Sequence, residues 1–152
     1  MRPSAGPLRL PGGGTMLCMM PVRKWLGVLQ CLIGVGAVPA GFGLMLDPSG
    51  EALGFDPAWL QGSPFGSFLI PGAVLMTVNG FGSLWGCVAS FRDSRRAGEI
   101  GLALGAFLML WIVFQVYWIG LGSWLQPLYF VIGLLECALS LLVIRRRSAF
   151  PV

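Results

Sequence analysis

Four long apolar stretches, at about Trp25–Leu46, Leu69–Ala89, Ile100–Gly120 and Leu125–Ile144, are separated by short polar or Gly- and Pro-containing segments. Each reaches or approaches the roughly 20 residues that an α-helix needs to cross a bilayer. The runs are continuous rather than alternating, so they predict membrane helices and not the strands of a barrel. Small residues recur within them at helical spacing. They are Gly27, Gly34, Ala37 and Gly41 in the first stretch, and Gly72, Gly82, Ser83, Gly86 and Ser90 in the second. Gly101 and Gly105 follow in the third, and Gly133 and Ser140 in the fourth. Lipid supplies little hydrophobic reason for helices to associate, so faces of small residues become the contact surfaces. The pattern predicts an all-α integral membrane four-helix bundle.

The connections differ in kind. Residues 1–20 form a predicted tail, 21–147 the four-helix domain, and 148–152 a short end. Met1–Thr15 is rich in Pro and Gly and has no apolar run, which predicts disorder. Met20-Pro21-Val22-Arg23-Lys24 reads as an alternative start with the positive flank of a first span. The first span is too long for a cleaved signal peptide, and no small-residue cleavage pattern follows it. Asp47-Pro48-Ser49-Gly50 predicts a turn ending the first span, and Asp56-Pro57 predicts the cap of a short helix through Leu60. Phe55, Trp59, Phe65 and Phe68 are spaced to rest at the headgroup level, as are Trp124 and Tyr129 near the tight turn 121–126.

Charge orients this arrangement. All 10 Lys and Arg lie before the first span, between the second and third, or after the fourth, and the other two connections carry none. Basic residues are retained on the cytoplasmic side, so both termini and the central loop are expected there. The clusters are small and explained by topology, so they imply no nucleic-acid partner. Asp47, Glu51 and Asp56 make the long loop acidic, as solvated surface carboxylates rather than a cation site. A composition 56% hydrophobic and 11% charged excludes an ordinary soluble domain.

Against this apolar background the polar residues inside the spans are the candidates for chemistry. A carboxylate at bilayer depth is costly, so Glu136 implies a partner or a purpose. Gln30, Asn79, Gln115 and Glu136 fall one per span, and Tyr129 and Ser140 share the face of Glu136. Counting depth from the span centres makes Asn79 or Gln115 the expected partner of Glu136. Three uses stay open: a hydrogen-bonded carboxyl holding helices together, a proton or ligand site, or catalysis. Histidine is absent, and Cys18, Cys31, Cys87 and Cys137 form no Cys-x-x-Cys. The cysteines read as packing residues, and no metal, cofactor or catalytic residue is expected.

Several strings carry a resemblance: Leu46-Asp47-Pro48-Ser49-Gly50, Leu69-Ile70-Pro71-Gly72, Val78-Asn79-Gly80, Ser123-Trp124-Leu125-Gln126-Pro127 and Gly133-Leu134-Leu135-Glu136. Over about Trp25–Ile144 the chain resembles a group of small, uncharacterised bacterial four-span membrane proteins with no established activity. The resemblance implies a multi-pass protein of the bacterial inner (plasma) membrane. The leading expectation is a non-enzymatic structural or accessory bundle, whose partners are membrane lipids and either further copies or a membrane-protein complex. The alternative is a small proton-coupled transporter using Glu136. A third reading is a lipid-modifying enzyme that combines Glu136 with the long loop.

Overall fold

The computed structural model describes residues 13–61 and 63–148, and no strand occurs among them. The helices are α1 (Gly13–Leu46), α2 (Leu69–Val74), α3 (Ser83–Phe91), α4 (Ala97–Ile119) and α5 (Leu125–Ser148). Between α2 and α3 the chain does not leave the helix but widens into an eight-residue π segment, Leu75–Gly82. The second span is therefore one continuous rod of three parts, Leu69–Phe91.

Four helical stretches are long and apolar enough to cross a membrane: Val22–Leu46, Leu69–Phe91, Ala97–Ile119 and Leu125–Ser148. At 23 to 25 residues each they exceed a hydrocarbon core of about 30 Å, which tilt accommodates. The side-chain distribution is inverted relative to a soluble bundle. Leu32, Val35, Trp85 and Leu110 point outward, each more than 60% exposed, whereas Gln30, Glu136, Ser90 and Ser140 are fully buried. Apolar surface outside and polar groups inside is the arrangement that a lipid solvent favours.

The spans are arranged as a ring. α1 packs along the whole second span and against α5, α4 and α5 form the most extensive pair, and α3 closes the ring against α4. The predicted small-residue faces are the seams. A Cβ on Gly41 would lie 2.6 Å from the Gly72 carbonyl oxygen and from Met76 N, both backbone atoms. A Cβ on Gly105 would lie 3.0 Å from the Gly133 carbonyl oxygen. Only hydrogen at these positions permits the backbones to approach so closely.

The ends are distinct. At one, the basic clusters gather: Arg23 forms an ion pair with Asp93 (3.0 Å) and donates to the Ser94 carbonyl, while Arg147 donates to the Arg95 carbonyl. At the other, the Asp47 carboxylate accepts from the Ser49 hydroxyl (2.6 Å), Ser49 N and Ala52 N (2.9 Å). Gly50 completes this turn at φ 78°, in the left-handed region that favours glycine. The Asp56 carboxylate caps the short 3₁₀ helix Pro57–Leu60 through Ala58 N, as the sequence predicts. Two acidic loop residues are thus engaged in shaping the loop.

One expectation is adjusted. α1 reaches back to Gly13, so residues 13–20, assigned to the tail from sequence, belong to a helix; Met16 to Met20 carries nothing that forbids one. The rest of the predicted tail, residues 1–12, and residues 149–152 lie outside the described residues. Pro39 does not interrupt α1, whereas Pro71 sits in the first turn of α2, where its missing N–H has no helical partner to lose.

Candidate functional site

The six polar candidates separate into two groups. Gln30, Glu136 and Ser140 meet toward the basic end. Gln30 Nε2 on α1 donates to Glu136 Oε1 on α5 at 3.0 Å, and Ser90 Oγ on α3 donates to Gln30 Oε1 at 3.1 Å. One glutamine amide therefore ties three spans. Its site is hollowed out by glycine: a Cβ on Gly86 would meet Gln30 Nε2 at 2.7 Å, and one on Gly101 would collide with Ser140 Oγ and crowd Gln30 Nε2. The small-residue faces thus make room for the polar side chains as well as for the backbones. Glu136 Oε2 and Ser140 Oγ have no hydrogen-bond partner among the described residues.

The expected pairing of Glu136 with Asn79 or Gln115 is corrected. Depth measured from the basic ends, rather than from the span centres, explains the observed partner. Glu136 lies nine residues before Arg145 and Gln30 six residues after Lys24, so the two sit at similar levels on antiparallel helices. Ser90 was legible only as part of a small-residue face; its role follows from where α3 carries it.

Asn79, Gln115 and Tyr129 belong to a separate feature, a cavity of about 220 Å³ between the spans toward the loop end. Asn79 comes from the π segment, Gln115 from α4 and Tyr129 from α5. Tyr129 shares the helical stripe of Glu136 in sequence yet lines this cavity, because seven residues carry it about 10 Å along α5. Asn79 is buried, and its Nδ2 and the Trp111 Nε1 are donors without a partner among the described residues.

The loop aromatics gather at the mouth of this cavity. Phe55, Trp59, Phe65 and Phe68 fold over the bundle and line the cavity. Phe55 packs on Trp59 and Phe68 with ring centroids 5.7 and 5.5 Å apart, and Phe65 meets Phe114 edge-on at 5.9 Å. Covering an apolar opening removes part of their surface from water. Trp124, by contrast, stays exposed. Glu136 is absent from the cavity lining. Cys31 on α1 and Cys87 on α3 face each other as free thiols.

No family model, curated protein or solved structure matches this chain.

Proposed function

We propose that this chain is a non-catalytic accessory bundle of the bacterial inner membrane, with both termini cytoplasmic. The observation that carries this reading is the use of Glu136. Its carboxyl is 1% exposed and bonded to Gln30, which is itself bonded to Ser90, so the polar groups join α1, α3 and α5. A buried hydrogen bond between membrane helices contributes on average ~0.6 kcal/mol and reaches ~2 kcal/mol, enough to fix their register. The gathering of the basic clusters at one end supports the cytoplasmic assignment of that end.

A proton-coupled transporter is the second reading, favoured by the unpartnered Glu136 Oε2 and Ser140 Oγ. The lipid-modifying reading, which requires Glu136 to work beneath the loop, gains no support from a carboxyl outside the cavity. Substitution separates the first two. An amide at 136 still accepts from Gln30, so Glu136→Gln retains the thermal midpoint in detergent under both readings. Glu136→Leu strands the Gln30 amide and loses ~1–3 kcal/mol. If Glu136→Gln folds normally yet loses a growth or efflux phenotype that the parent restores, the carboxyl carries protons and the accessory reading fails. For orientation, reporter fusions after Phe91 and Val152 are expected in the cytoplasm, and one within 54–61 outside. An external signal from the first pair overturns the assignment.

A further inference from the structure

The seam between the second span and α4 is closed in one half of the bundle and parted in the other. Toward the basic end α3 packs on α4, and a Cβ on Gly82 or Gly86 would lie 3.0 or 2.9 Å from the Leu104 side chain. Toward the loop end the π segment meets α4 only lightly, and α2 does not pack against α4. The cavity of about 220 Å³ occupies this gap, with Pro71 and Leu75 on one side and Phe114 and Trp118 on the other. Leu75 lies six residues after Leu69, the first residue of the span. That is about 9 Å along the helix, at the level of lipid chains rather than headgroups.

The way to water is covered. The 3₁₀ helix Pro57–Leu60 rests on α4, and Phe65 meets the Phe114 ring at 5.9 Å. Between α2 and α4 the flank of the bundle carries no comparable contact among the described residues. Trp118 belongs to the cavity wall yet is 36% exposed, so the lining reaches the outer surface of the spans.

The wall also selects its occupant. None of the lining residues carries a charge. The partnerless N–H groups of Asn79 and Trp111 are buried beneath their neighbours and do not open onto the space. Apolar cavities of about 150 Å³ stay dry and take up apolar ligands such as benzene. Left empty, the space would forfeit the dispersion contacts of its lining. The medium at the gap is hydrocarbon, which restores those contacts without burying a polar group.

We propose that this cavity takes up one acyl chain of a bilayer phospholipid, which enters sideways between α2 and α4 while its headgroup stays outside at the loop end. The inference is independent of the Gln30–Glu136 network and stands whether or not the bundle is an accessory protein.

The test reconstitutes the full chain in bilayers containing phosphatidylcholine with a photoactivatable diazirine midway along one acyl chain. Labelled residues are mapped by peptide mass spectrometry. Ala37, Leu44 and Ile112 are buried and line the cavity, so chains of the surrounding bilayer do not touch them. Leu32, Val35 and Leu110 face outward and report ordinary lipid contact. The chain probe should label both sets, whereas a phosphatidylcholine with the diazirine on its headgroup should leave the cavity set unlabelled. Ala40→Phe places a ring inside the cavity. It should abolish labelling of Leu44 and Ile112 and leave the outward residues unchanged. If Ala40→Phe does not fold, the comparison of the two probes on the parent still decides. Outward labelling without cavity labelling, equal cavity labelling by the headgroup probe, or unchanged cavity labelling in Ala40→Phe overturns the proposal.

Discussion

At the basic end, Gln30, Ser90 and Glu136 bond to one another across three spans, whereas at the loop end Asn79 and Trp111 line a cavity with their donors unused. Both regions bury polar groups in the same apolar bundle, and both draw on several spans. What separates them is the residue opposite. Around Gln30 the neighbours are Gly86 and Gly101, small enough for the helices to close until amide meets carboxyl. Asn79 instead lines a cavity together with Trp111 and Phe114, beneath a roof of loop aromatics. Small residues let Gln30 reach Glu136 and Ser90, although Glu136 Oε2 and Ser140 Oγ stay without a partner there; beside the aromatic wall Asn79 Nδ2 and Trp111 Nε1 find none at all among the described residues.

The largest effect should come from breaking the close packing of the basic end. Gly86→Leu places a Cβ 2.7 Å from Gln30 Nε2 and 2.9 Å from Leu104 Cδ1. It both overpacks the seam and displaces the amide, so a loss of ~3–5 kcal/mol is expected, seen as poor accumulation and a lowered thermal midpoint. Gly66→Ala, with nothing within 4 Å of the added Cβ, should behave like the parent. Equal stability of the two variants would mean that the Gln30 site is not tightly packed.

A sharper contrast lies in removing one polar group from each region. Glu136→Leu leaves the Gln30 donor stranded and should destabilise, as above. Asn79→Leu removes a donor that already lacks a partner, so in ligand-free detergent its stability should match or exceed the parent by up to ~1 kcal/mol. The thermal midpoints of the two leucine variants should therefore move in opposite directions or diverge clearly. A loss in Asn79→Leu as large as in Glu136→Leu would show that Asn79 is structural glue, and the distinction between the regions would dissolve.

How much of this was legible follows the same division. Spans, turn and cap announce themselves locally: the Asp47 turn and the Asp56 cap each use hydrogen bonds within a few residues, and apolar length marks a helix without reference to its neighbours. The glycine seams were readable as faces. The partner of Glu136 was not, because pairing depends on the relative offset of two antiparallel helices, and the span centres misplace that offset when the apolar boundaries differ from the helix ends. The split of the polar set was equally hidden. Asn79 enters the cavity from a π segment, whose altered winding rotates side chains away from the positions that a regular α-helix predicts. The contacts of the loop aromatics were hidden too, because the opening they cover is formed by four spans distant in sequence.

The smallest effect belongs to the loop that forms this cover. The hydrogen bond from the Ser49 hydroxyl, followed by that from Ala52 N, holds the Asp47 carboxyl below its ordinary value. A group whose folded value is depressed contributes stability above its unfolded value, about 3.9 for aspartate, and loses it as the pH falls through the lower folded value. Asp47 is exposed to solvent, so the contribution is slight and local. Asp47→Asn keeps an acceptor for the backbone amides but removes the charge. It should therefore show weaker Ala52 amide protection than the parent at pH 7, with the difference shrinking as both are taken below about pH 4. Because Phe55 and Phe68 pack against each other just beyond this turn, the effect should stay local, and the thermal midpoint should change less in Asp47→Asn than in Glu136→Leu. An Asp47 effect that grows toward low pH would reverse the sign of this linkage and show that the carboxylate does not hold the turn.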